Sequence, residues 1–188
     1  MDLKKLANQY KDELLNNVLP FWLEHSQDHE FGGYFTCLDR EGTVFDTDKF
    51  IWLQGREVWL FSMLYNKVEK KQEWLDCAIQ GGEFLKKYGH DGNYHWYFSL
   101  DRAGNPLVEP YNIFSYTFAT MAFGQLSLAT SNQEYADIAK KTFDIILSKA
   151  DNPKGKWNKI HPGTRNLKNF ALPMILCNLA LEIEHLLD

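Results

Sequence analysis

The sequence is short of cysteine, of clustered basic residues and of long apolar runs, and each shortage excludes a class of protein. Its three cysteines, Cys37, Cys77 and Cys177, lie too far apart for a metal motif or a disulfide framework, so a reducing, cytoplasmic environment is expected. A net charge of −5 without a basic run argues against nucleic acid as a partner. No apolar run approaches the ~18 residues of a membrane span, and no signal peptide is visible, so no membrane partner is expected.

Aromatic side chains are abundant instead, with six Trp, nine Tyr and thirteen Phe among 188 residues. Apolar residues make up 45% of the chain, which is enough to pack the core of a single domain spanning residues 1–188. Aromatic rings supply much of such a core, and they also line clefts that bind ring-shaped ligands. The composition therefore predicts a globular domain that can include an aromatic binding cleft.

The spacing of apolar residues predicts six helices of two alternating kinds. Three are amphipathic, and the other three are apolar on nearly every side. The amphipathic helices are predicted at 2–24, 72–88 and 132–149, and the apolar helices at 49–68, 111–129 and 167–187. Pro20 is expected to kink the first helix or to end it early.

Turn-forming residues separate these helices. Residues 31–45 predict a β-hairpin, because aromatic and β-branched residues flank a polar turn at 39–42 that ends in glycine. Thr47 or Asp48 is expected to cap the helix that follows. Residues 89–110 contain further turns and strand-like pieces, so the chain is predicted to be all-α with small β elements between helices.

An internal repeat with an offset of 62 residues organises the chain. Residues 38–42 (LDREG) recur as residues 100–104 (LDRAG), and a weaker third copy begins near Trp157. The chain therefore contains three helix pairs, each with one amphipathic and one apolar helix. Because an apolar helix must be covered on every side, this pattern predicts a double-layered ring with the apolar helices inside.

The lengths of the connections indicate where a binding site would lie. The long connections, 25–49, 89–110 and 150–166, all lead from an outer helix to an inner helix, so they share one rim of the ring. Long irregular loops gathered on one side are typical of a functional surface. Three helix pairs do not close a ring, so we expect either a homodimer or a chain that forms the first half of something longer.

Arg56 is a charged residue near the middle of the apolar helix predicted at 49–68. Its repeat partner is Phe118, so the repeat itself does not require a charge at this position. The apolar residues one turn before and after it are Trp52, Leu53, Trp59 and Leu60. A buried guanidinium needs a partner, and two interpretations remain open: an internal salt bridge to a carboxylate such as Asp48, or an oxygen- or anion-binding group at the floor of a site.

Four long segments resemble the N-acylglucosamine 2-epimerase family, and the resemblance covers essentially the whole chain. The segments are GGYFTCLDREG at 32–42, DTDKFIWLQGREVW at 46–59, EPYNIFSYTFATMAF at 109–123 and LKNFALPMILCNLAL at 167–181. The resemblance implies an (α/α)6 toroid of which this chain supplies about three of the six helix hairpins, with the small β-hairpin on the rim. It also implies a sugar substrate, no cofactor and no metal, and interconversion of N-acetylglucosamine and N-acetylmannosamine or of a related aldose.

Epimerisation at C2 needs one group that removes a proton, one that returns it on the opposite face, and a donor that holds the enediolate oxygen between the two steps. The resemblance implies two histidines for the proton transfers, both in the second half of the fold, and Arg56 as the oxygen-binding residue. We therefore expect no activity from this chain by itself. Further substrate contacts are expected from Tyr111, Trp52 and Asn178, and more weakly from Lys49, Tyr116 and Lys168.

The histidines of the chain match no catalytic position of the family, and we expect them to lie in rim loops or at helix ends. They are His25, His29, His90, His95, His161 and His185. Two alternatives to an epimerase remain. A non-catalytic half-barrel could bind sugar or another protein. For either function the expected protein partner is a second copy of the chain or a second-half polypeptide. A glycoside hydrolase is disfavoured, because the inner helices lack two carboxylates that could face each other across a cleft.

Overall fold

A computed structural model of the protein describes residues 2–110, 113–151, 161, 163 and 170–187. These residues are mostly helical, as the sequence predicts. The main helices are α1 (Leu3–Glu13), α2 (Leu19–His25), α3 (Ile51–Lys67), α4 (Gln72–Tyr88), α5 (Phe114–Thr130), α6 (Gln133–Ser148) and α7 (Ala171–Glu182). The strands are β1 (Cys37–Leu38), β2 (Val44–Asp46), β3 (Lys49–Phe50), β4 (Ser99–Leu100) and β5 (Pro106–Val108). A short 3-10 turn, Glu184–Leu186, follows α7.

The helices form two layers. The inner helices α3 and α5 pack against each other, and α7 packs against α5. Trp59 of α3 also donates a hydrogen bond to Glu182 at the end of α7, at 2.9 Å. The outer helices α4 and α6 cover α3 and α5 from outside. Helix α5 is buried on almost every side, as its nearly continuous apolar sequence requires, whereas α4 and α6 bury one face each. The predicted fold class, about three hairpins of an (α/α)6 toroid, is confirmed.

The first predicted helix continues past Pro20 and does not end there. A π-helical turn at Leu14–Val18 joins α1 to α2, and Pro20 lies in the first turn of α2. Proline has no backbone N–H to donate, so a change of helix type just before it accommodates the missing bond. None of the described helices is both long and apolar enough to cross a bilayer.

The rim is built from two small sheets. Strands β1 and β2 form the predicted antiparallel hairpin, and Gly42 adopts a φ of +89° in its turn. Strand β3 pairs with β4, and β4 with β5, so the first two long connections meet on one rim as predicted. The third long connection lies mostly outside the described residues.

The predicted cap of α3 is wrong. Thr47 and Asp48 precede strand β3, and α3 begins only at Ile51, with no side-chain cap. The backbone N–H of Ile51 donates instead to the carbonyl of Phe98, at 3.0 Å. Pairing between the two rim loops therefore satisfies the helix terminus that a capping side chain would otherwise serve.

Glycines mark the closest approaches between elements. In α4, Gly81 lies against the ring of Tyr34, and Gly82 lies against the side chain of Leu126. In α3, a Cβ atom at Gly55 would stand 2.8 Å from the carbonyl oxygen of Phe118, so the backbones of α3 and α5 are in contact there. The glycine of α3 thus permits the central packing of the inner layer.

Replacing Gly55 with alanine is expected to lower the free energy of unfolding by about 2 kcal/mol, because the new methyl group meets immobile backbone and forces α3 away from α5. Chemical denaturation would measure the change. Gly82→Ala is the matched control: its methyl group would meet only the end of the Leu126 side chain, which can rotate, and alanine favours the helix. Equal effects of the two substitutions would contradict the assignment of a tight α3–α5 contact.

Candidate functional site

The guanidinium of Arg56 lies in a notch between two aromatic rings. Its Cζ atom is 4.8 Å from the centre of the Trp52 ring and 4.2 Å from that of Phe118. The two ring centres are 6.4 Å apart, so the lines from Cζ to the two centres meet at nearly a right angle. The cation thus contacts two aromatic faces at once, an arrangement stabilised by the ring quadrupoles.

The prediction that Arg56 is buried is wrong. The residue is exposed, whereas its neighbours in sequence, Gly55 and Glu57, are both buried. Within the described part of the chain, no carboxylate lies within ion-pair distance of Arg56, so the predicted salt bridge to Asp48 is also wrong. The two faces of a planar guanidinium point in opposite directions, so of two rings at a right angle at most one covers a face. Among the described residues none accepts a hydrogen bond from Arg56, so its N–H donors are available for oxygen atoms.

The surface around Arg56, called here the inner face, consists of Trp52, Arg56, Phe114, Phe118 and Asn178. Trp52 and Phe118 are half-buried, whereas Phe114 and Asn178 are exposed. The Asn178 amide nitrogen lies 3.7 Å from the sulfur of Met121, which is three residues after Phe118 on α5. Helices α3 and α7 therefore present Arg56 and Asn178 on the same side of α5. An open aromatic surface with a cation and an amide suits a ligand that carries both a ring and polar groups.

Two predicted site residues, Tyr111 and Lys168, lie outside the described residues. Tyr116 is buried, with the ammonium group of Lys149 over its ring at 5.0 Å, and burial raises the pKa of its hydroxyl to about 12. It lies in the core and does not form part of the inner face. Of the predicted substrate contacts, the structure thus brings Trp52 next to Arg56 and places Asn178 on α7, beside Met121 of α5.

Lys49, a weaker candidate for substrate binding, belongs to a buried ion cluster under the rim. Its Nζ atom donates to Asp28 Oδ2 at 3.0 Å and to the carbonyls of Gly32 at 2.6 Å and Arg102 at 2.9 Å. The side chains of Lys49 and Asp28 are completely buried. All three ammonium protons are therefore used within the protein, and Lys49 acts as a structural residue.

Arg102 completes this cluster from the second repeat. Its Nε and Nη2 atoms donate to the two carboxylate oxygens of Asp28, at 2.9 and 3.0 Å. Burial alone would raise the pKa of Asp28, but the hydrogen bonds from Arg102 and Lys49 outweigh it and hold the pKa well below its usual value. The cluster joins the first rim loop, strand β3 and the β4–β5 hairpin into one unit.

Glu57 follows Arg56 in sequence but points away from the inner face into the core. Its carboxyl group contacts the hydroxyl of Ser26, and the same hydroxyl lies 2.6 Å from the carbonyl of Trp22. A serine hydroxyl has one proton, which it can donate either to Glu57 or to the carbonyl of Trp22. When the proton goes to the carbonyl, only a protonated Glu57 can make the second hydrogen bond, as the donor. Burial raises the pKa of Glu57 to about 8, in agreement with a neutral acid at this position.

The described histidines lie at the rim or at helix ends, as expected. The His90 ring contacts the rings of Tyr94 and Trp96, whose centres are each 4.8 Å from its own, and it meets Trp96 edge to face. His95 is exposed, and its Nδ1 atom lies 2.9 Å from Asp91 Oδ2. The remaining histidines are His25 against Phe21, the exposed His29 and His161, and His185 with its Nε2 atom 3.1 Å from the carbonyl of Gly124. In the described ranges, no three His, Cys, Asp or Glu residues converge as metal ligands would.

Solved structures share this fold. The cellobiose 2-epimerase from Bacillus thermoamylovorans B4167 matches with a TM-score of 0.81 and 24% sequence identity, over 98% of this chain and 51% of that chain. The bovine protein named N-acylglucosamine 2-epimerase is 39% identical over 174 residues, which are 90% of this chain and 41% of the relative. A protein from Dictyoglomus turgidum named cellobiose 2-epimerase is 29% identical over 84% of this chain and 42% of the relative.

The chain therefore spans about two fifths of the length of the curated relatives that it matches. The model of one family, described as N-acylglucosamine 2-epimerase (GlcNAc 2-epimerase), matches residues 33–186, which include the rim hairpins and all three inner helices. The resemblance of the four long sequence segments is confirmed by this match and by the fold. The chain belongs to the N-acylglucosamine 2-epimerase family.

Proposed function

We propose that this chain forms the N-terminal, sugar-binding half of a 2-epimerase that interconverts N-acetylglucosamine and N-acetylmannosamine, or a related aldose. In this proposal Arg56 holds the substrate oxygen that becomes negative when the C2 proton is removed. The observation that carries the proposal is the exposed Arg56 guanidinium, which lies between two aromatic rings and has no hydrogen-bond acceptor among the described residues. The names of the relatives, which include two kinds of 2-epimerase, support the same reaction class.

Trp52 and Asn178 complete the proposed substrate contacts among the described residues, and Tyr111 is proposed as a further contact. The ring of Trp52 is half-buried, so one part of it supports Arg56 and the rest can lie against a sugar ring. The exposed amide of Asn178 can both donate to and accept from sugar hydroxyls. The reaction needs no cofactor in this proposal, because proton transfer and oxygen binding suffice.

The two proton-transfer groups are proposed to come from the remainder of the ring, either in a longer chain or in a second-half polypeptide. None of the described histidines is placed on the inner face as defined above. A homodimer is the other arrangement that could cover both edges of the half-ring, and we propose the cytoplasm as the location because the three cysteines carry no disulfide. The 188-residue chain alone is therefore expected to bind sugar but not to exchange its C2 proton.

The test is exchange of the C2 proton of N-acetylmannosamine in deuterium oxide, followed by NMR. We expect no exchange with the 188-residue chain alone and measurable exchange when the C-terminal half of the bovine relative is added as a separate polypeptide. In that mixture, Arg56→Lys is expected to reduce the rate by about 100-fold, since lysine cannot offer the two parallel donors of a guanidinium. Arg40→Lys, the same change on the exposed rim hairpin, is the control and should leave the rate unchanged.

Three results would count against this proposal. Exchange by the 188-residue chain alone would show that a local base such as His95 or His161 is sufficient. An unchanged rate in the Arg56→Lys mixture would make Arg56 structural. Sugar binding without restored exchange would favour the alternative, a non-catalytic sugar-binding half-barrel.

A further inference from the structure

We propose that Phe118 is a positioning residue, whose ring holds the Arg56 guanidinium in the orientation that presents its N–H edge to the ligand. This inference rests on the proposed function, in which Arg56 binds the substrate oxygen. It assigns the support of Arg56 to a residue of a different helix and a different repeat. It concerns a residue that makes its contribution through Arg56 and not through a contact with the reacting atoms.

The distances single out Phe118 as the nearer of the two rings. The Arg56 Cζ atom is 4.2 Å from its centre and 4.8 Å from the centre of Trp52, which lies one turn before Arg56 on the same helix. A ring on the same helix moves with Arg56, whereas a ring on α5 fixes the guanidinium relative to a second helix. Phe118 is thus the contact that ties Arg56 to the rest of the inner face.

The packing of α3 against α5 determines the position of the Phe118 backbone, from which its ring extends. A Cβ atom at Gly55 would stand 2.8 Å from the Phe118 carbonyl oxygen and 3.1 Å from its Cβ atom. The residue directly before Arg56 is therefore in contact with the backbone of the residue whose ring supports Arg56. Because packed helix backbones shift little, this contact fixes the distance between the cation and the ring.

The internal repeat relates Phe118 to Arg56. Arg56 and Phe118 occupy equivalent positions, 62 residues apart, on the two neighbouring inner helices. Of these two residues only Arg56 is charged, and its guanidinium lies over the ring of Phe118, its own repeat partner. A leucine would fill the same space in an apolar interface, but only a flat π-system attracts the cation and restrains the plane of the guanidinium.

A restrained guanidinium has a functional consequence. An exposed arginine side chain loses rotational freedom when it binds a ligand, and this loss weakens binding by an amount that grows with its mobility. Contact with the rings of Phe118 and Trp52 restricts the side chain before the ligand arrives, and the N–H donors directed away from the two rings stay available. The ring is therefore expected to affect affinity and bidentate geometry without touching the sugar.

The test uses the 188-residue chain labelled with 15N-arginine, which contains only Arg40, Arg56, Arg102 and Arg165. The Hε signal of Arg56, assigned by its loss in Arg56→Lys, should be shifted upfield by the adjacent ring currents. Phe118→Leu should remove most of this shift, and Phe118→Tyr should retain it. The Arg102 signal is the internal control for folding, because that side chain is bound to Asp28 in the ion cluster.

Titration with N-acetylmannosamine in the same spectra provides the second measurement. Phe118→Leu is expected to weaken binding about fivefold, a typical contribution of one partly exposed cation–π contact, and Phe118→Tyr is expected to restore it. If the sugar shifts the wild-type Arg56 signal but Phe118→Leu leaves both that signal and the affinity unchanged, the positioning role is wrong. If the sugar never perturbs the Arg56 signal, the proposed function fails, while the ring-current comparison still decides whether Phe118 orients Arg56.

Discussion

Replacing Lys49 with methionine is expected to lower the free energy of unfolding by about 3–5 kcal/mol. Methionine resembles lysine in length but has no charge, so the substitution leaves the buried carboxylate of Asp28 without one of its two cations, the one that is completely buried. It also removes the donor to the carbonyls of Gly32 and Arg102, which become buried acceptors without that partner. Urea denaturation followed by circular dichroism would measure the change.

Two comparison variants make this prediction specific to the buried cluster. Lys70→Met makes the same chemical change at an exposed lysine over the ring of Tyr65, and we expect little effect. Arg102→Met should cost less than Lys49→Met, because the Arg102 side chain is one-third exposed and Asp28 would keep its bond to Lys49. A Lys49→Met protein as stable as the Lys70→Met control would contradict a structural role for the cluster.

Glu57→Gln is expected to stabilise the protein by roughly 3 kcal/mol at pH 7. An amide keeps the hydrogen bond to Ser26 but cannot ionise, whereas burial raises the pKa of Glu57 from 4.5 to about 8. Between those two values the unfolded chain releases a proton that the folded protein retains. The wild-type protein therefore loses stability as the pH rises from about 4.5 to 8, and above 8 this loss is complete.

The diagnostic measurement is the difference in unfolding free energy between Glu57→Gln and wild type across this pH range. The two nearest titratable groups, Tyr34 and Cys77, have pKa values raised above their ordinary values by burial, so they stay neutral throughout. Contributions from histidines are common to both proteins and cancel. Glu73→Gln, a change at an exposed glutamate, is the control and should run parallel to wild type. A constant difference between Glu57→Gln and wild type would show that Glu57 is not a raised-pKa acid.

The helical frame could be predicted from the sequence because its helices have strong periodicity. Helix α4 begins and ends at the predicted residues, 72 and 88, since a one-sided apolar pattern and short flanking turns define it. The start of α3 could not be predicted in the same way. Thr47 and Asp48 resemble caps, but the pairing of strand β3 with β4, fifty residues away, determines where the helix begins.

Two charged residues of α3, Arg56 and Glu57, show more clearly that the local sequence pattern does not determine which side chains are buried. Arg56 has apolar neighbours in every direction along the helix and was predicted to be buried, yet it is exposed and stacked on aromatic rings. Glu57 has nearly the same neighbours, yet it is buried as a neutral acid. A single helix cannot indicate which of its sides faces a cavity, because that depends on the helices packed around it.

The internal repeat aligns two arginines that lie in different environments. Arg102 lies in the second copy of the LDREG motif, where Arg40 occupies the equivalent position in the first copy. Arg40 lies on the surface next to Glu41, whereas Arg102 reaches Asp28 and helps bury it. The repeated motif thus predicts the turn correctly in both copies. It does not show that Arg40 stays on the surface while Arg102 joins two loops.

The connections across the rim also determine the order in which the protein can assemble. Contacts between α3 and α4 close short loops, whereas the Asp28–Arg102 pair and the β3–β4 pairing join residues about 50 to 75 positions apart. Long loops lose more chain entropy on closure, so contacts of this kind form after local ones. The helical hairpins can therefore fold first, and the rim takes its final shape only when the two rim loops have met.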